Sequence, residues 1–160
     1  MIAATPAQRR AILDRSRTVA MVGASANPQR PSYFVYRYLL THGFDVHGVN
    51  PAYATIDGRA CYASLEEYVR AHGPPDIVDV FRKASAAPQA AADAIAAKAK
   101  AIWFQYGVID ERATRLADQA GLDVVVDRCM KVEHARFRGG LSVAGMNSGV
   151  LSSKRRSGRM

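Results

Sequence analysis

Apolar residues follow two spacings along the chain, and the switches between them predict its elements. Val19, Ala20, Met21 and Val22 are consecutive and apolar, as in a strand covered on both faces, so a strand is predicted over residues 18–23. Residues 32–42 then take helical spacing, with Phe34, Val35, Tyr38 and Leu39 on one face before Gly43 supplies a stop. The same switch recurs: further strands are predicted at 44–49, 77–81, 101–104 and 122–126, and helices at 64–72, 84–98 and 110–119. Thr5 followed by Pro6 marks the start of a leading helix that runs through residue 15 and carries Ile12 and Leu13. Ser64 and Glu67 have the spacing of a capping box, and Pro74-Pro75 stops that helix before the third strand. Residues 84–98 are rich in alanine, whose small side chains let a helix lie close to a sheet. Residues 58–61 read as an irregular connection and 129–137 as a final helix, after which Gly139, Gly140, Gly145 and Gly149 leave no pattern.

Strands alternating with helices predict an α/β fold: a Rossmann-like, doubly wound, parallel five-stranded sheet in a three-layer sandwich. Right-handed crossovers with a reversal after the third strand give the order 3-2-1-4-5 and a crevice at the carboxyl ends of the first and fourth strands. The segments that follow the strands then converge on one place. They are the loop from Gly23, Asn50-Pro51, Arg82, Gln105-Tyr106-Gly107 and Arg128-Cys129.

Composition narrows the setting of this fold. At 160 residues and 49% hydrophobic the chain holds one core, predicted over residues 1–149, and is too short for a two-domain dehydrogenase. The formal charge of +8 suggests a polyanion partner, yet Lys154, Arg155, Arg156 and Arg159 supply half of it from a Ser/Gly-rich segment. Residues 150–160 therefore read as a basic, flexible tail, and no specific nucleic acid is expected. Cys61 and Cys129 have no metal-ligand or disulfide-framework spacing, and the scattered histidines add none. Gln8, Arg9 and Arg10 interrupt any signal-peptide core, and no apolar run nears the roughly 20 residues that span a bilayer. The expectation is a cytoplasmic protein with no membrane partner.

The loop Gly23-Ala24-Ser25-Ala26-Asn27-Pro28-Gln29-Arg30-Pro31 carries the chemistry. A buried strand that turns through glycine into a helix gathers free N–H groups and the positive end of a helix dipole, a cradle for pyrophosphate. The fingerprint for nicotinamide dinucleotides wants three glycines there and an acid at the end of the second strand. Here the loop keeps Gly23 alone, and the second strand ends in Val49-Asn50-Pro51. An acid-free pocket favours a nucleotide with a phosphorylated ribose, which leaves NADP or coenzyme A.

Five segments together carry a resemblance. Val22-Gly23-Ala24-Ser25, Gly48-Val49-Asn50-Pro51, Asp79-Val80-Phe81-Arg82, Ile102-Trp103-Phe104-Gln105-Tyr106-Gly107 and residues 127–134 (Asp127 to His134) resemble the small stand-alone CoA-binding-domain proteins. Their fold is similar to the N-terminal domain of the succinyl-CoA synthetase alpha subunit. The resemblance implies coenzyme A or an acyl-CoA as ligand, with Ser25-Ala26-Asn27-Pro28 holding its phosphates through N–H groups and the Ser25 hydroxyl, and Arg30 adding a charge. It further implies that Asn50, Pro51 and Tyr53 line the nucleotide end. Tyr53 stands where the synthetase has a lysine, so stacking on adenine replaces an ionic contact. Phe104, Gln105, Tyr106 and Gly107 would run beside adenosine and pantetheine, and Arg82 would meet a phosphate. The synthetase's phosphorylated histidine belongs to a second domain, so binding is expected without ligase chemistry. The alternatives are a small NADP-dependent reductase, or a CoA-transfer or ligase subunit that needs a partner; a homodimer is also left open.

Cys129, Lys131, Glu133 and His134 invite a catalytic reading with His134 as base to a Cys129 thiolate. Positions five apart on a helix point about 140° apart, so the two side chains are not expected to meet. Capping, ion pairing and subunit contacts account for the cluster instead.

Overall fold

Residues 1–138 are described by a computed structural model, and their elements form where the apolar spacing changes. Six helices, α1 (Pro6–Arg15), α2 (Pro31–Thr41), α3 (Leu65–His72), α4 (Ala87–Ala96), α5 (Glu111–Gln119) and α6 (Met130–Arg138), surround seven strands. The strands are β1 (Thr18–Val22), β2 (Asp45–Val49), β3 (Thr55–Ile56), β4 (Arg59–Tyr62), β5 (Ile77–Val80), β6 (Ala101–Phe104) and β7 (Asp123–Val125). The expected tail at 150–160 and the boundary at 149 lie outside the described residues.

Local chemistry sets the helix starts. Thr5 accepts the Gln8 N–H at 3.2 Å while the Gln8 side chain accepts the Thr5 N–H at 3.0 Å, so the two-way capping box is found at α1. At α3 the structure shows the Ser64 half, a 3.2 Å bond from the Glu67 N–H. Asp110 caps α5 by accepting from the Ala113 N–H at 2.8 Å. A 3-10 turn, Ala84–Ala86, leads into α4, whose Ala87, Ala90, Ala91 and Ala94 are buried.

The sheet order is β3-β4-β2-β1-β5-β6-β7, parallel except for the β3–β4 pair. This corrects the expected five strands in order 3-2-1-4-5. The segment read as an irregular connection is β4, which pairs with β2 at Gly48↔Cys61 and Val49↔Tyr62. It is delivered there by an antiparallel hairpin with β3, turned through Asp57 and Gly58 at φ of 50° and 80°. Two successive positive φ values define the primed turn that suits strand twist, and Asp-Gly is its sequence signal. Because β4 fills the place beside β2, β5 lies on the other flank of β1, from Val19↔Ile77 to Val22↔Val80. The reversal of strand order therefore falls between β1 and β5.

Alternating strand residues feed two cores, one on each sheet face. Ala20, Val78, Val80, Ile102, Phe104 and Val124 pack with the α3, α4 and α5 side, including Tyr68, Ala91 and Ala113. Val19, Met21, Val46, Ile77, Trp103 and Val125 pack with α1, α2 and α6 through Ile12, Leu39 and Met130. Trp103, the sole tryptophan of the chain, is wholly buried and donates from Nε1 to the Arg128 carbonyl at 2.9 Å. On this second side Arg9 and Glu133 form a buried ion pair at 2.7 Å, with Arg136 at 3.3 Å from the other Glu133 oxygen.

Candidate functional site

The first strand-to-helix turn fixes the site. Gly23 has φ +85°, and a Cβ on it would sit 2.1 Å from the Phe81 carbonyl oxygen. Only glycine lets β1 turn so close against the end of β5. The chain then runs to α2, whose N-cap Arg30 is extended and gives no side-chain cap, with no acid in the first turn. The positive end of α2 is thus left to face outward without a protein anion.

Between that helix end and the carboxyl ends of β1, β5 and β6 opens a cleft of about 620 Å³. Of the expected ligand residues, Gly23, Arg30, Arg82, Gln105 and Tyr106 line it. Ser32, Val35, Phe81, Lys83, Val108 and Cys129 are among its further lining residues. Lys83 extends the Arg82 signal by one residue. Val35 and Phe81 read as core from their spacing, and nothing in a single sequence marks them as wall. Arg30, Arg82 and Lys83 are exposed, and none has an acidic partner among the described residues. Many other arginines of the domain are paired, including Arg9, Arg15, Arg37 and Arg59.

The loop beyond Gly23 is organised by its own side chains. Ser25 Oγ accepts the Asn27 N–H at 3.0 Å and lies 3.3 Å from the Tyr53 hydroxyl, while Asn27 Oδ1 accepts the Gln29 N–H at 2.9 Å. Asn50 ties the second loop to the first by donating from Nδ2 to the Ala24 carbonyl at 2.8 Å, and its Oδ1 accepts the Ala52 N–H at 2.9 Å. Asn50 and Tyr53 therefore buttress the cradle, with Pro51 exposed between them. Ala24 is buried, Ala26 half-buried and Pro28 exposed. Among the described residues the N–H groups of Ser25 and Ala26 take no protein acceptor.

Phe104 departs from its expected role. At 1% exposure its side chain belongs to the core on the α4 and α5 side, because strand alternation turns it away from the cleft that Gln105 lines. Gly107 shapes the loop, its N–H donating to Asp127 Oδ1 at 2.9 Å.

Beneath the cleft lies Asp79, with no exposed surface. Its Oδ1 accepts from Gln105 Nε2, and its Oδ2 has no partner among the described residues. Burial pushes this carboxyl up to about 7, against the opposing effect of the Gln105 bond. Burial likewise raises the Cys129 thiol, though the N–H groups of Val132 and Lys131 hold it back. His134 does not reach Cys129. Its Nδ1 lies 2.9 Å from the Tyr38 hydroxyl, and it lines a separate 350 Å³ pocket with His42, Arg17 and Arg138. Among the described residues no three His, Cys, Asp or Glu side chains gather as a metal site.

The sequence profile of the CoA binding domain matches residues 17–135, from the start of β1 into α6. The chain belongs to the CoA-binding domain family. Within reach of this family, the uncharacterized protein YneT of Bacillus subtilis is 35% identical over 129 residues, covering 81% of this chain and 93% of YneT. A solved structure of a hypothetical protein from Pyrococcus horikoshii is 41% identical with a TM-score of 0.77, covering 82% of this chain and 91% of that one. The dinucleotide-forming acetyl-coenzyme A synthetase of Ca. Korarchaeum cryptofilum shares the fold at 21% identity and a TM-score of 0.58, over 67% of this chain and 25% of its own. The expected family resemblance is borne out across the sheet. Among the described residues no helix is long and apolar enough to cross a membrane.

Proposed function

We propose that the protein binds coenzyme A or an acyl-CoA at the carboxyl edge of its sheet, and that this domain carries no ligase chemistry of its own. Three exposed cations without acidic partners, Arg30, Arg82 and Lys83, carry the reading. They flank a glycine turn that no side chain can fill, in a chain of the CoA-binding domain family. The fit is chemical as well as geometric. Phosphates meet positive charge and the free N–H groups of Ser25 and Ala26 in the turn that leads to α2, while Val35, Phe81 and Val108 offer an apolar wall to the pantetheine arm. Gln105 donates its amide to Asp79, which leaves its Oε1 to accept an N–H from that arm. Asn50 and Tyr53 act at one remove, by holding the loop from Ala24 to Asn27.

Calorimetry with coenzyme A, acetyl-CoA, NADP and NAD tests this. Coenzyme A species are expected to bind. Replacing Arg82 and Lys83 together by alanine weakens binding by about 2 to 3 kcal/mol, or roughly a hundredfold, if both reach phosphate. Binding of NADP without coenzyme A would overturn the reading in favour of a reductase. Full affinity in the double variant would remove the cation assignment.

A further inference from the structure

Cys129 stands just ahead of α6 on the wall of the cleft, half-buried, with its carbonyl accepting the Glu133 N–H at 2.9 Å in the first turn of that helix. A second feature lies beside it. Asp79 is wholly buried with one carboxyl oxygen unpartnered. By strand alternation it shares the sheet face of Phe81, a wall residue, and its other oxygen holds Gln105, also in the wall. Its charge is felt at the Cys129 thiol. One cleft thus combines cations, an apolar wall and a thiol, and its wall residue Gln105 is held from behind by the buried Asp79 carboxyl.

We propose that Cys129 captures the thiol-terminated ligand of this cleft as a mixed disulfide, by exchange with that ligand's symmetrical disulfide. The proposal rests on the coenzyme A reading above. The Cys129 sulfur, after losing its proton, attacks one sulfur of coenzyme A disulfide. The S–S bond between Cys129 and one half forms as the original S–S bond breaks, and the other half leaves as a thiolate that takes up the proton. Oxidation of Cys129 is matched by reduction of the leaving half, so no further oxidant enters. Burial opposes the thiolate, which keeps the resting thiol unreactive toward disulfides that are not held in place. The product disulfide is uncharged, and the same burial does not oppose it. Cys61 serves as an internal control, because it is buried below the second loop and donates to the Asn50 carbonyl at 3.7 Å.

The reduced full-length protein is incubated with coenzyme A disulfide or, separately, glutathione disulfide, and followed by intact mass. Wild type and Cys61→Ser are expected to gain one coenzyme A less two hydrogens, Cys129→Ser to gain nothing, and peptide mapping to place the adduct on Cys129. Coenzyme A disulfide is expected to react at least about tenfold faster than glutathione disulfide, since binding raises the local concentration of the reacting bond. Equal rates for the two disulfides, or an adduct mapped to Cys61, would overturn the proposal. Reversible coenzyme A binding in calorimetry without any adduct would sink the capture and leave the binding reading standing. Absence of both would end both.

Discussion

Replacing Asp79 by asparagine is expected to remove a pH dependence of stability that the wild type owes to one buried carboxyl. In the folded protein this group sits at about 7, against an ordinary value of 3.8. Below about pH 3 it is protonated in both states and costs nothing. As pH rises toward 7 the unfolded chain releases its proton while the folded protein keeps it, so stability falls through that window. Above about pH 8 both states are ionised and the loss has reached its full size of about 4 kcal/mol. Of this, about 2 to 3 kcal/mol accrues between pH 5 and pH 8. Asparagine has nearly the same shape and can still accept from Gln105, but does not ionise. Its amide nitrogen takes the unpartnered Oδ2 position, and this fixed cost cancels when two pH values are compared. Urea unfolding followed by far-ultraviolet circular dichroism at pH 5 and pH 8 gives the four free energies. The stability of the variant relative to wild type should rise by about 2 to 3 kcal/mol between them. Parallel pH profiles for the two proteins would refute the account, because they would mean that Asp79 does not bind a proton on folding.

Gly23→Ala is expected to cost at least about 3 kcal/mol in thermal unfolding, because its Cβ would meet the Phe81 carbonyl at 2.1 Å, and to abolish coenzyme A binding where any fold survives. Arg9→Met leaves Glu133 buried with Arg136 alone. A loss of about 3 kcal/mol in urea unfolding is expected, partly recovered by adding Glu133→Gln. Coenzyme A affinity is expected to weaken as salt is raised from about 50 to about 500 mM, and to weaken less in the Arg82 and Lys83 double variant. An equal salt dependence in both proteins would count against phosphate contact by these side chains.

The elements with strong spacing were legible in the sequence: the apolar runs of β1, β5 and β6, the capped starts of α1 and α3, and the alanine face of α4. What escaped was a hairpin too short for its alternation to show. β3 has two residues and β4 four, and the only local signal was Asp57-Gly58. Missing it moved one strand and placed the crevice beside the wrong neighbour of β1. At the site, convergence at the strand ends was legible because topology alone dictates it. Side-chain direction was not. Phe104 and Gln105 are adjacent and face opposite sides, and Ser25 and Asn27 spend their oxygens on their own loop. Which strand face meets the cleft is decided by how the two cores pack, and a loop oxygen can accept from its own backbone or from a ligand, so neither choice is written in the local residues.

Trp103 gives the cleft floor an optical signal. It is the chain's single indole, it stands opposite Asp79 in the register of β5 and β6, and its Nε1 bonds the carbonyl of Arg128, the residue before Cys129. Intrinsic emission excited at the indole band therefore comes from one buried spot between the ionisable carboxyl and the start of α6. A shift in that emission with pH would report the proton on Asp79, and a change on adding ligand would report movement at α6, with no label attached to the protein.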